Sequence, residues 1–210
     1  MTKHVPWPNL KRGLVAILRG ITPSEAEAVA ELLVEEGFEA LEIPLNSPEP
    51  LRSIERVAAR VGKQALVGGG TMLTTGDVDQ VAAAGGRLMV SPNMRPTVIS
   101  HAAQAGMVTM PGVLSPTEAF GALEAGASGL KFFPASLLGP GGLAAIMTVL
   151  PKGTVVGAVG GVGPDNMAEY MRAGITTFGM GTSVYRPGDG IAEVREKARA
   201  LIAAYDRARG

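Results

Sequence analysis

The chain contains no cysteine, which excludes disulfides and thiolate chemistry and leaves its redox compartment unmarked. It has two histidines, His4 in the N-terminal stretch and His101 in a helical stretch, and neither ends a strand-like run. A histidine-ligated metal or a histidine base is therefore not expected, and the sequence reads as metal-free and cofactor-free. Walker A and dinucleotide-binding glycine fingerprints are missing as well. Charge of one sign is also lacking, since 19 Lys and Arg balance 19 Asp and Glu. Without a basic field, neither nucleic acid nor an acidic membrane is an expected partner, and any bound anion must be held by local geometry. No apolar run is long enough to span a membrane. Residues 1–12, with Pro6, Trp7, Pro8 and mixed charge, do not read as a signal peptide. The expectation is a soluble, cytoplasmic protein.

What is present is glycine, 29 residues of 210, regularly placed. Apolar runs of strand length recur at 14–18, 40–45, 65–67, 87–90, 107–110, 129–133, 154–159 and 176–180. Lacking polar alternation, they predict strands buried on both faces, as in a parallel sheet covered by helices. The intervening stretches have helical spacing. Val29, Leu32 and Leu33 share one face, as do Ile191, Val194, Ala198, Leu201, Ile202 and Tyr205. Thr22-Pro-Ser-Glu25 and Ser115-Pro-Thr-Glu118 each read as an N-cap, a proline at the first helical position and a capping-box glutamate. Looser versions start at Ser47 and Gly163, and glycines at 37, 62, 85, 106, 126 and 174 mark helix ends. Strand–helix units of roughly 26 residues, with no linker between them, predict an α/β fold. It is read as a single (β/α)8 TIM barrel domain over residues 1–210, in preference to a doubly wound open sheet. The residues before the first strand are expected to form a short helix or plug across the barrel bottom.

A barrel builds its active site at the C-terminal ends of its strands, so polar residues there carry the functional signal. Lys131 lies between Leu130 and the pair Phe132-Phe133. Burial would lower its pKa and free a neutral amine to attack a ketone, although a snorkelling lysine or an ion pair with Glu42 fits the same segment. Phe133, two residues on, should face the same way as Lys131 and keep the amine dry. Glu42 stands alone among Leu41, Ile43 and Pro44, suited either to shuttle protons or to pair with Arg19. Arg19 is a candidate carboxylate clamp. Thr71 is either a hydroxyl donor to substrate or the N-cap of the next helix. The turns at Gly160-Gly161 and Gly181-Thr182-Ser183 follow the last two strand runs, where such barrels commonly hold phosphate; small residues that merely turn tightly would look the same.

Seven segments together resemble the bacterial 2-keto-3-deoxy-6-phosphogluconate and -galactonate aldolases. They are Ala16-Ile-Leu-Arg-Gly-Ile-Thr-Pro23, Glu42-Ile-Pro-Leu-Asn-Ser-Pro48, Gly68-Gly-Gly-Thr71, Ser91-Pro-Asn93, Leu130-Lys-Phe-Phe-Pro134, Ala158-Val-Gly-Gly-Val162 and Gly181-Thr-Ser-Val-Tyr-Arg186. The resemblance implies a Schiff-base lysine at Lys131 and a proton-transfer glutamate at Glu42. It implies substrate contacts at Arg19 and Thr71, and phosphate contacts around Gly161, Val162, Gly181 and Ser183. It further implies cleavage of a phosphorylated keto-deoxy sugar acid to pyruvate and glyceraldehyde 3-phosphate, with no cofactor, by a homotrimer. Within the family the chain looks like the galactonate branch. Val159 stands where the gluconate branch typically has threonine, and Asn46 where it has arginine, while Arg19 supplies the guanidinium instead. Gly69 replaces a usual alanine, and a looser loop is expected there.

Overall fold

Runs without polar alternation bury both faces of a sheet, and these strands all pair in parallel. The computed structural model describes residues 3–210. Its strands are β1 (Gly13–Ile17), β2 (Ala40–Pro44), β3 (Leu66–Gly70), β4 (Leu88–Val90), β5 (Val108–Met110), β6 (Gly112–Val113), β7 (Leu130–Phe132), β8 (Val156–Val159) and β9 (Thr177–Met180). They lie in the order β5-β4-β3-β2-β1-β9-β8-β7-β6. Only Pro111 separates β5 from β6, so the two ends of this order meet in the chain and the sheet wraps into a (β/α)8 barrel. Proline has no N–H for the ladder. The fifth barrel strand is consequently split, one piece on β4 and the other on β7.

Eight helices cover the barrel: α1 (Ala26–Glu36), α2 (Pro50–Val61), α3 (Thr75–Ala83), α4 (Pro96–Gln104), α5 (Pro116–Glu124), α6 (Ala135–Met147), α7 (Met167–Arg172) and α8 (Ile191–Arg209). None is long and apolar enough to cross a membrane among the described residues. Ser115 and Glu118 form the expected reciprocal capping box on α5. The matching motif at Thr22 does not cap α1. That helix begins three residues beyond the expected proline, and the Thr22 hydroxyl instead bonds the Glu25 carboxylate at 2.5 Å. α3 is capped by Thr74 in a box with Asp77, so Thr71 is not its N-cap.

The two-residue period of a strand divides its side chains between barrel axis and helices. Leu14, Ala16 and Leu18 join the outer core with Val29, Leu32 and Leu33 of α1 and Val194, Ala198 and Leu201 of α8. Val15 turns inward to a second cluster with Ala40, Leu88, Val90, Val108 and Met110. Val5, Trp7 and Leu10 pack against this inner cluster from the N-terminal side. The segment is therefore a plug, but residues 3–10 take no helical form because Pro6 and Pro8 interrupt them. Gly69 lies within β3 rather than in a loop, on the side of α3, where a Cβ would stand 2.8 Å from Val81. Its effect is closer strand–helix packing, not the expected loosening.

Candidate active site

Strand parity puts Glu42 of β2 and Lys131 of β7 on the barrel axis, and the register sets glycine on both sides of Lys131 but on one side of Glu42, whose other neighbour is Ile17. Lys131 has Gly112 and Gly157 as its lateral neighbours, and Glu42 has Gly68. Room for the Glu42 carboxylate comes from a missing side chain on the next strand, at Gly70. A Cβ on Gly157 would strike Met110, and one on Gly70 would coincide with the Glu42 carboxylate.

Lys131 is 6% exposed and Glu42 1%. The two form no salt bridge with each other, and among the described residues Oε2 of Glu42 has no hydrogen-bond partner. Burial pushes the Glu42 carboxyl above the usual carboxylate range, against the opposing charges of Lys131 and Arg19. Burial likewise holds the Lys131 amine below the usual lysine range, opposed by Glu42 and reinforced by Arg19. Both shifts favour the uncharged forms, a free amine beside a protonated carboxyl. The Lys131 amine sits 5.1 Å from the centre of the Phe133 ring, so the two do face the same way.

Above them opens a cavity of about 460 Å³, and its wall includes Arg19, Lys131, Phe133 and Val159. Gly160, Gly161 and Val162 line one rim, and Gly181, Thr182 and Ser183 another. Gly160 and Gly161 both take left-handed backbone angles, φ 89° and 83°, which glycine alone adopts without strain. Among the described residues, the backbone N–H groups of Gly161, Val162, Thr182 and Ser183 find no acceptor in the chain. Unpaired donors on residues that line one concavity suit an anion. A cavity of about 430 Å³ at the opposite end of the barrel, around Trp7, Thr154 and Tyr205, has no charged residue in its wall.

Two residues of the expected set stand apart from the cavity wall. Glu42 lies behind it, fully enclosed. Thr71 follows Gly70 at the end of β3 with φ 56°, a strained conformation for a β-branched residue. Arg19 is exposed at the rim and donates to Asn46 at 2.6 Å, so it pairs with neither Glu42 nor Lys131. Sequence reasoning missed that Asn46 contact. It also gave no role to Tyr185 and Pro187, which line the same cavity, although the tyrosine lies in a segment quoted for its likeness. Burial and the Glu25 carboxylate push the Tyr185 hydroxyl above its usual value, which keeps it a donor.

A profile of the family described as KDPG and KHG aldolase matches residues 10–193. The chain belongs to that family. This aldolase is a carbon–carbon lyase. It is 55% identical over 207 residues to a probable 2-dehydro-3-deoxy-6-phosphogalactonate aldolase of Rhizobium meliloti strain 1021, covering 99% of this chain and 98% of the relative. It is 45% identical over 198 residues to the 2-dehydro-3-deoxy-6-phosphogalactonate aldolase of Escherichia coli K12, covering 94% and 97%. A solved structure described as native KDPGal superposes with a TM-score of 0.95 at 44% identity, over 98% of this chain and 99% of that one. The KDPG aldolase of Legionella pneumophila, solved with pyruvate captured as a covalent carbinolamine, superposes with a TM-score of 0.81 at 26% identity, over 90% and 94%.

Proposed function

We propose that this aldolase cleaves 2-dehydro-3-deoxy-6-phosphogalactonate to pyruvate and glyceraldehyde 3-phosphate through an imine on Lys131. The observation that carries the reading is the Lys131 amine, buried in the wall of a cavity near the unpartnered Glu42 carboxyl, with unpaired N–H groups on the residues of both rims. The two relatives named for the galactonate substrate support the choice of sugar acid.

The Lys131 amine adds to the C2 ketone, giving a carbinolamine. Glu42, acting through a water, protonates the departing hydroxyl, and the protonated imine forms. As the C4 hydroxyl loses its proton to Glu42, the C3–C4 bond breaks and its electron pair moves into the imine, leaving an enamine. Glyceraldehyde 3-phosphate departs. Protonation at C3 and hydrolysis then release pyruvate and restore the amine. Arg19, oriented by Asn46, and Thr71 serve the carboxylate end of the substrate, while the rims at 160–162 and 181–183 take the phosphate. The reading extends to a homotrimer of single-domain chains in the cytoplasm.

The test is pyruvate release from the two C4-epimeric acids, followed in a coupled assay. Faster cleavage of the galactonate epimer supports the proposal, and faster cleavage of the gluconate epimer or no release from either defeats it. Val159 lines the cavity and offers no hydrogen bond. Val159→Thr is expected to shift the ratio of the two rates toward the gluconate epimer by about tenfold, one hydrogen bond's worth of discrimination. Gly70→Ala drives a methyl group into the Glu42 carboxylate. Displacement of a proton-transfer group on this scale should lower kcat by about 100-fold with the barrel still folded by circular dichroism.

A further inference from the structure

We infer that Tyr185 and Glu25 act as a positioning pair, fastening the anion-binding turn after β9 to the segment after β1. The inference rests on the proposed function in taking that turn as the phosphate site.

Tyr185 is 2% exposed and its ring forms part of the cavity wall, yet its hydroxyl is bonded to the segment that leads into α1. It donates to Glu25 Oε1 at 2.5 Å, while Thr22 donates to Oε2 of the same carboxylate, also at 2.5 Å. One carboxylate thus collects two hydroxyl protons from opposite ends of the chain. On its own side, Tyr185 is joined rigidly to the turn. The N–H groups of Val184 and Tyr185 donate to the Gly181 carbonyl at 2.9 and 3.0 Å. Fixing the tyrosine hydroxyl therefore fixes Thr182 and Ser183, which line the cavity and whose N–H groups are unpaired among the described residues.

Two neighbouring contacts act in the same direction. Pro187 lies against Gly20, where an added Cβ would stand 2.6 Å from the proline ring. Asp189 accepts from the Arg186 N–H at 2.7 Å and from Lys197 of α8 at 2.6 Å, anchoring the far end of the loop. Phenylalanine at 185 would fill the same space. The hydroxyl is needed only for the bond to Glu25.

The experiment is a titration of the parent protein, Tyr185→Phe, Glu25→Ala and the double variant with inorganic phosphate, followed by 31P NMR. Each single variant is expected to bind phosphate about tenfold more weakly, and the double variant no more weakly than the worse single, since both break the same Tyr185–Glu25 bond. KM for the phosphorylated substrate should rise by a similar factor with kcat within about threefold of the parent. Borohydride trapping of pyruvate, which has no phosphate, should proceed in Glu25→Ala within about twofold of the parental rate. Unchanged phosphate affinity in either single variant overturns the inference. So does an equal loss of phosphate binding and pyruvate trapping, which marks general destabilisation. If the parent itself forms no pyruvate adduct, the lysine reading fails, while the phosphate titration still decides the pair.

Discussion

Borohydride reduction in the presence of pyruvate is expected to add a three-carbon adduct at Lys131, and Lys131→Met is expected to abolish both adduct and turnover. The loss of kcat should be on the order of 10⁴-fold or more, because no other group supplies the electron sink for cleavage. Peptide mass mapping checks the site. An unmodified protein, or an adduct on Lys152 instead, sinks the mechanism. The same variant has a stability signature that an ion-paired lysine would not give. The folded chain holds the Lys131 amine below its ordinary pKa, so the associated stability is present above the unfolded value and is lost as pH falls through the folded one. At neutral and mildly acidic pH the parent carries that cost and methionine does not. Lys131→Met should therefore melt at or above the parental temperature, with the difference growing as pH falls.

Glu42→Gln is expected to slow imine formation and turnover together, by about 10²- to 10⁴-fold, the range of a positioned acid–base group. Single-turnover trapping with pyruvate and steady-state cleavage both read it. Turnover that falls while trapping keeps the parental rate would remove Glu42 from the dehydration step. Here the pH sign is opposite. The folded carboxyl has a raised pKa, so its stability is present below the unfolded value and is lost as pH rises through the folded one. The amide has nearly the same shape and no charge to bury. Glu42→Gln should gain stability over the parent as pH increases, read as a widening difference in melting temperature.

What the sequence made legible was whatever depends on short-range pattern. Unalternated apolar runs located the barrel strands, and counting by two from Lys131 set Phe133 on its side of the sheet. The end-of-strand rule led to the glycine turns that rim the cavity. Features set by distant residues were not legible. The Thr22 motif has every mark of a cap, but Glu25 bonds a tyrosine 160 positions away, and the helix starts later. Arg19 could be placed at a strand end, yet its partner Asn46 belongs to the next loop and left no local trace. Thr71 carried two readings, and Thr74 settled one of them by taking the cap of α3 itself. The room around Glu42 was hidden for another reason. It is made by an absent side chain on the neighbouring strand, at Gly70, two residues beyond the register partner of Glu42.

The N-terminal plug has a consequence for traffic. With Val5, Trp7 and Leu10 stoppering the lower end over the inner cluster, the barrel is a blind alley rather than a tunnel. In the proposed reaction the lysine is reached from the cavity at the other end, whose wall it helps to form. On the proposed imine mechanism, the three carbons held on Lys131 lie deeper than the phosphorylated fragment at the rims, so the aldehyde clears the passage first. Order of release is then imposed by the architecture, independently of how tightly either product is held.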